Sequence, residues 1–212
     1  MNGKILIFAR TPQLGSVKTR LQPVLGEEGC YKLHSELVEI VVRTAVQAEV
    51  APVEVWHTGQ IDHSLWQALK SDLAIGLVEQ KGDDLGERLF NAASAYLSGA
   101  EPWDWIIIIG SDCPAVDADY LSKAVKALQS GEELVIGPAQ DGGYVLLGFR
   151  RVHEFLFRNI PWGTGEVLEK TLTLAEKNQC PVHLLNPLRD IDVEEDLAFY
   201  RDQLLSINTA FL

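Results

Sequence analysis

The sequence predicts an α/β protein, a three-layer α/β/α sandwich around a mainly parallel sheet with an antiparallel strand. Three observations carry this expectation. Short β-branched apolar runs alternate with amphipathic segments along the 212 residues, the pattern of repeated strand–helix–strand units. One run, Ile106 to Ile109, is apolar at every position, as a strand buried on both faces must be. A Gly-Gly turn at Asp141-Gly142-Gly143 joins two apolar runs in the second half, which marks an antiparallel intrusion.

The elements follow in order. Lys4 to Ala9 reads as a first strand, and Arg10 to Gln22 as a polar loop containing glycine and proline. Leu33, Leu37, Ile40, Val41 and Ala45 recur at helical spacing and place a helix from about Glu27 to Ala48. Val53 to His57 and Ile75 to Glu79 are strands around a short helix, Ser64 to Lys70. An amphipathic helix at Leu85 to Leu97 leads into the strand from Trp105 to Ile109, and a helix at Ala118 to Leu128 follows. Leu134 to Gly137 and Tyr144 to Phe149 are the strands on either side of the Gly-Gly turn. Helical segments at His153 to Phe157 and Glu166 to Asn178, a strand at Val182 to Leu185 and a helix at Val193 to Leu205 complete the series. No repeat, low-complexity tract or linker interrupts it, so residues 1–212 are expected to form one domain.

Composition narrows the class of function. Apolar and charged fractions of 47% and 23% are those of a soluble globular protein. A formal net charge of −12 argues against binding nucleic acid or an anionic membrane surface. No apolar stretch is long enough to span a bilayer, and the short run after Lys4 reads as a strand rather than a targeting segment. Cys30, Cys113 and Cys180 are odd in number and widely spaced, which suits reduced thiols in a cytoplasmic protein. Cys113 has no histidine near it in sequence to activate it, so a small buried filler is favoured over a nucleophile.

Chemistry concentrates in six segments. Ile106 to Ile109 runs into Gly110-Ser111-Asp112-Cys113-Pro114, which ends the strand and lifts Asp112 to its carboxyl end, where open α/β sheets bind ligands. A carboxylate fixed there suits a hard cation and the phosphates that accompany it; the plainer reading is a turn aspartate. The loop from Arg10 to Leu21 carries Gly15, Lys18 and Arg20 beyond the first strand, a concentration of positive charge suited to a di- or triphosphate in an otherwise acidic chain. Its spacing is not that of a Walker loop. In Gly82-Asp-Asp-Leu-Gly-Glu-Arg88, Asp83 or Asp84 can cap the next helix, while Gly86 and Arg88 can face ligand oxygens. Gly137 to Tyr144 places Asp141 at the end of the fifth strand, beside the fourth if sequence neighbours are sheet neighbours, and Gly142 and Gly143 admit close backbone approach. Arg189 to Asp196 directs Asp190 and Asp192 to one face, with Asp196 structural within the last helix. In the loop from Ile160 to Gly165, Trp162 is either an acceptor-pocket wall or a surface staple, and a threonine can cap the helix after it.

The stretches PQLGSVKTRL, GDDLGERL, IGSDCPAVDADYL, GPAQDGGYVLLGF, IPWGTGEVL and DIDVEEDL together resemble a bacterial family of uncharacterised transferases. That family has the nucleotide-diphospho-sugar transferase (glycosyltransferase A-type) fold and is related to 2-phospho-lactate guanylyltransferase. The resemblance implies a nucleotide held over the carboxyl end of the sheet by Arg10, Gly15, Lys18, Arg20, Gly86, Arg88 and Ser111. It implies Mg²⁺ or Mn²⁺ held by Asp112 and Asp192, with Asp112, Lys18 and Asp141 catalytic. Gly142, Gly143, Tyr144 and Trp162 would face a small-molecule acceptor. Two positions depart from the relatives: Ala9-Arg10-Thr11-Pro12 replaces a glycine-rich loop start, and Gly165 stands where an acidic residue is common. The expected activity is transfer from a nucleotide sugar, that is, a glycosyltransferase. The alternatives are a nucleotidyltransferase consuming a nucleoside triphosphate and a nucleotide-binding module without turnover.

Overall fold

The computed structural model describes residues 2–99 and 102–207, with the side chains up to residue 200. The strands are β1 (Gly3–Arg10), β2 (Val53–Thr58), β3 (Gly76–Glu79), β4 (Trp105–Gly110), β5 (Leu134–Pro138), β6 (Tyr144–Phe149) and β7 (Val182–Leu184). The helices are α1 (Gln22–Gln47), α2 (Ser64–Asp72), α3 (Leu85–Leu97), α4 (Ala118–Ser130), α5 (Val167–Lys177) and α6 (Glu194–Ile207). The expected elements are present, with two refinements. The polar first loop ends in a 3₁₀ turn at Thr19–Leu21, and the segment around His153 is a 3₁₀ turn at Glu154–Leu156. α1 is broken at Gly26, whose φ of 68° no ordinary helical residue adopts, so its continuous part begins where the apolar spacing places it.

All seven strands form one sheet in the order β3-β2-β1-β4-β6-β5-β7. β6 runs antiparallel to both β4 and β5, and the other pairs are parallel. The expectation that β5 lies beside β4 is therefore corrected. β6 occupies that place, with Ile106 opposite Phe149 and Ile109 opposite Leu146. The physical reason is the tight turn after β5. It returns the chain at once, and the β4–α4–β5 crossover leaves one strand position open for an apolar strand to fill. Because β4 and β5 remain parallel to one another, Asp112 and Asp141 still emerge at the same end of the sheet.

Side-chain alternation along the central strands divides the core. Ile5, Ile7, Ile107 and Ile109 pack with Val38, Val41, Trp66 and Leu121 on the side of α1, α2 and α4. Leu6, Ile106 and Ile108 pack with Leu89, Ala92 and Phe157 on the side of α3 and α5. A smaller cluster of Leu21, Cys30, Leu33, Leu37, Ile191 and Tyr200 anchors the first loop and the last helix to α1. After β7 the chain runs back along the end of β5. There Leu188 donates to Pro138, Gln140 to Leu188, and Ile191 to the Asp112 carbonyl at 3.0 Å. This return brings the acidic segment at 190–192 to the mouth of β4.

The start of α3 is capped as expected. Asp84 accepts from the Glu87 amide at 2.8 Å while Glu87 accepts from Asp83, a reciprocal cap on α3. Asp117 accepts from Tyr120 at the start of α4, and Gly131 closes that helix at φ 111°. Ile107 is fully buried at the centre of the sheet. Ile107→Ala should cost about 2–5 kcal/mol through lost burial and the cavity left behind, read as a lowered urea midpoint with an unchanged slope.

Candidate functional site at the carboxyl ends of the strands

A cavity of about 550 Å³ opens over the carboxyl ends of β1, β4 and β5. Of the residues singled out in the sequence, Arg10, Lys18, Arg20, Arg88, Ser111, Asp112, Asp141, Gly143, Tyr144, Trp162 and Asp192 line it. Gly15, Gly86 and Gly142 do not, and each has another task. Gly15 takes a left-handed φ of 74°, and its carbonyl accepts from Gln22, which shapes the loop beneath the cations. A Cβ on Gly86 would stand 2.3 Å from the Phe157 carbonyl and 2.5 Å from Trp162 Nε1, so this glycine lets the 157–162 segment lie against α3. A Cβ on Gly142 would come 2.0 Å from the Gly165 carbonyl, and its φ is 90°, so the Asp141 turn and the Trp162 loop touch backbone to backbone. The Gly142 carbonyl also accepts from Leu168 at the start of α5.

Lys18 is the hinge of the acidic side. Its residue sits at φ 48°, left-handed for a side-chain-bearing residue, at the start of the 3₁₀ turn. The side chain is only 4% exposed, and its ammonium lies 2.7 Å from Asp112 Oδ1 while donating to the Ile191 carbonyl at 2.5 Å. His34 of α1 supports the same carboxylate. Its Nε2–H donates to the Arg10 carbonyl at 2.9 Å, since a carbonyl can only accept, and Nδ1 then stands 3.8 Å from Asp112 Oδ1. Burial alone would raise the Asp112 pKa. The charge of the adjacent Lys18 ammonium is the main influence that outweighs it and holds the carboxyl well below the ordinary range. The Asp112 side chain is 46% exposed, so one face of the carboxylate opens into the cavity.

Asp190 lies in the opposite electrostatic condition. Burial, then the charges of Asp141 and Asp112, push its pKa from 3.8 up to about 6. Asp141 itself accepts from the Gly143 amide at 2.8 Å, which orients it toward the cavity rim. Asp192 is paired with Arg20 at 2.5 Å across the mouth, both side chains being partly exposed. Asp196 is structural as expected: it accepts from the Asp192 and Val193 amides and pairs with Arg189 at 2.6 Å. Tyr144 and Trp162 meet edge to face at 6.2 Å and form an aromatic wall, so Trp162 lines the pocket and braces α3 together. Cys113 is buried, donates to the Arg189 carbonyl at 3.2 Å, and is pushed up to about 12 chiefly by burial, which makes it a filler.

Two participants escape a sequence reading. His34 lies mid-helix, and nothing local separates it from a core histidine until α1 is packed against the first loop. Gln80 follows β3 and donates to the Trp56 carbonyl at 2.7 Å, presenting its amide at the far wall. The acidic pair at 190 and 192 is visible in the sequence. The division of labour within it, one buried among carboxylates and one paired with arginine, arises only from the return of the chain along β5.

A family described as an uncharacterized protein conserved in bacteria (DUF2064) matches residues 41–164. The chain belongs to this family. No curated protein matches it. Among solved structures, a candidate nucleotide-diphospho-sugar transferase from Desulfovibrio desulfuricans G20 superposes with a TM-score of 0.83 at 28% identity, covering 100% of this chain and 90% of that one. CMP:2-keto-3-deoxy-manno-octonic acid synthetase in complex with CTP gives 0.62 at 12% identity, covering 98% and 100%. Glucosyl-3-phosphoglycerate synthase from Mycobacterium tuberculosis, in complex with Mn²⁺, UDP and glucosyl-3-phosphoglycerate, gives 0.56 at 13% identity, covering 97% and 79%. The fold is thus that of the nucleotide-diphospho-sugar transferases, as the resemblance implied. No described helix is long and apolar enough to cross a membrane.

The Asp190 environment sets a pH dependence. A raised carboxyl pKa favours the folded state only while the group is protonated, so its contribution is complete below about pH 4 and is lost as pH rises through about 6. In EDTA, Asp190→Asn should therefore melt above the parent protein at about pH 7.5 and level with it near about pH 4. Equal melting temperatures at the higher pH would remove the like-charge account. Gly142→Ala should cost at least about 2 kcal/mol, from left-handed strain and the Gly165 collision together, measured by chemical unfolding.

Proposed function

We propose that this chain is a divalent-cation-dependent transferase acting on a nucleotide-activated donor, and specifically a nucleotide-sugar glycosyltransferase. The observation that carries the reading is the excess of carboxylates at the strand ends. Asp190 is pushed up to about 6 first by burial and then by the charges of Asp141 and Asp112, which share its end of the cavity, and Lys18 is already spent on Asp112. Such a group of oxygen ligands fits Mg²⁺ or Mn²⁺, with Asp112 and Asp192 as the assigned ligands and Asp190 beside them. When bound, the cation would neutralise the charge that develops on the leaving diphosphate.

The chain's own residues divide the remaining tasks. Lys18 keeps Asp112 ionised and fixed, so no proton has to leave before a ligand arrives. Arg10, Arg20 and Arg88 line the cavity as guanidiniums able to grip phosphate oxygens in pairs. Arg20 would exchange its exposed pairing with Asp192 for the donor, which frees that carboxylate. Tyr144 and Trp162 offer an aromatic wall for the acceptor, and Asp141 at the rim takes its proton. In glycosyl transfer the acceptor oxygen bonds to the anomeric carbon, the bond from that carbon to the diphosphate breaks, and a nucleoside diphosphate leaves. The likeness to the Desulfovibrio protein supports a sugar donor.

A second reading is supported by the cations. Three arginines on one cavity suit a triphosphate, as does the likeness to a synthetase solved with CTP. An acceptor phosphate would then attack the α-phosphorus and expel pyrophosphate. A thermal-shift panel of nucleotide sugars and nucleoside triphosphates, each with Mn²⁺ and with EDTA, separates the readings. A ligand at about a hundred times its Kd stabilises by about 2.7 kcal/mol, or about 5–10 °C for a chain of this size. The expected result is a Mn²⁺-dependent shift with a nucleotide sugar that Asp112→Asn abolishes. A shift confined to a triphosphate selects the nucleotidyltransferase. Binding that survives EDTA with no product from any donor selects a module without turnover.

A further inference from the structure

At the amino-terminal end of β5, far along the strand from the cavity, three different donor atoms converge. Glu133 immediately precedes β5, His153 follows β6, and Cys180 precedes β7. The sheet makes these flanks neighbours, because Leu134 is opposite Phe149 on one side and Val182 on the other. Glu133 Oε1 lies 2.8 Å from His153 Nε2, and Cys180 Sγ completes a group whose ligand atoms all fall within 4.8 Å of one another. The two polar side chains are mostly covered, at 32% and 25% exposed, and the thiol is buried.

An ion pair between Glu133 and His153 needs no sulfur, so the position of Cys180 calls for its own explanation. The thiols of Cys30 and Cys113 each donate to a carbonyl at 3.2 Å. The Cys180 thiol has its carbonyl contact, Pro181, only at 4.0 Å, and it lies close enough to Glu133 to feel the carboxylate's charge. A buried sulfur set beside a carboxylate and an imidazole gains little from either of them. It gains a great deal from a cation placed between all three.

We propose that Glu133, His153 and Cys180 form a transition-metal site of the Zn²⁺ class, with water in the fourth position, separate from the oxygen-lined cation site of the cavity. Zn²⁺ bonds of about 2.0–2.3 Å place tetrahedral ligand atoms about 3.3–3.8 Å apart. The carboxylate and imidazole must separate by about half an ångström to reach this, a movement within the freedom of partly exposed side chains. Thiolate and imidazole donors favour Zn²⁺ over Mg²⁺, so the two sites select different ions. The charges balance: thiolate and carboxylate together neutralise the dication. The S–H bond breaks as the S–Zn bond forms and its proton leaves to solvent, while the imidazole coordinates through Nε2 and carries its proton on Nδ1. The site ties the start of edge strand β7 to the β5–β6 hairpin, which stabilises the part of the sheet from which the 190–192 segment departs.

The test uses the full chain stripped of metal, with Co²⁺ as a spectroscopic probe and Zn²⁺ as competitor. The expected result is one equivalent of Co²⁺ giving a thiolate-to-cobalt charge-transfer band, its displacement by Zn²⁺, and a Zn²⁺-dependent rise in melting temperature. Cys180→Ser and Glu133→Gln should each abolish or displace the band and weaken Zn²⁺ binding at least about tenfold. Asp112→Asn should leave the band intact, which separates this site from the cavity. Absence of a thiolate band in the parent protein at saturating Co²⁺ overturns the proposal, as does a band unchanged in Cys180→Ser. Should the serine variant fail to fold, Glu133→Gln alone decides, since it alters a partly exposed group and an unchanged band and Zn²⁺ affinity there overturn the site equally.

Discussion

The contact on which the cavity depends is the one between Lys18 and Asp112. The ammonium is almost sealed from water and is shared between the Asp112 carboxylate and the Ile191 carbonyl, so it joins three segments far apart in sequence. One is the first loop, one the end of β4, and one the return of the chain before α6. A lysine buried without an acid beside it would surrender its charge, and an aspartate so placed without a cation would be neutralised. Here the ammonium holds the carboxylate in its charged form. The left-handed backbone at Lys18 shows that the loop accepts local strain to deliver the side chain there.

From that pair the electrostatics of the cavity follow. Asp190, half-buried beside Asp141 and Asp112, bears the cost of burial first and of like charge second. Asp192, two residues on, is met by Arg20 at the rim. The result is an uneven set of carboxylates: Asp112 held below the usual range by Lys18, Asp190 pushed above it, and Asp192 paired with Arg20 at the rim. A cation entering such a group finds an ionised ligand ready. Its positive charge also lowers the cost that burial and like charge impose on an ionised Asp190.

Much of this was legible in the residues. The isoleucine run gave β4 its double burial and so the position of Asp112, and the Asp-Gly-Gly turn gave the antiparallel strand. Asp84 falls at the helix start where capping chemistry puts it. What was not legible depends on long-range order. The sequence places Asp141 after β5, but the sheet inserts β6 between β5 and β4, and no local pattern records which strand fills an open position. Gly86 and Gly142 read as ligand-facing glycines because close approach is the usual reason for glycine near a site. Here the approaching group is the protein's own backbone, at Phe157 and at Gly165. His34 is silent for the same reason: its role exists only once α1 lies against the first loop.

The contact between Gly142 and Gly165 has a consequence for how the acceptor side could diversify. With two backbones touching and no side chain between them, the turn carrying Asp141 and the loop carrying Trp162 have no compressible layer to absorb a change in either one. A bulkier residue in one loop therefore displaces the other, and substitutions in the two should depart from additivity. Relatives that handle different acceptors would be expected to have altered both loops together, as a matched pair inherited jointly. The selectable unit on this face is the pair of loops, not the residue.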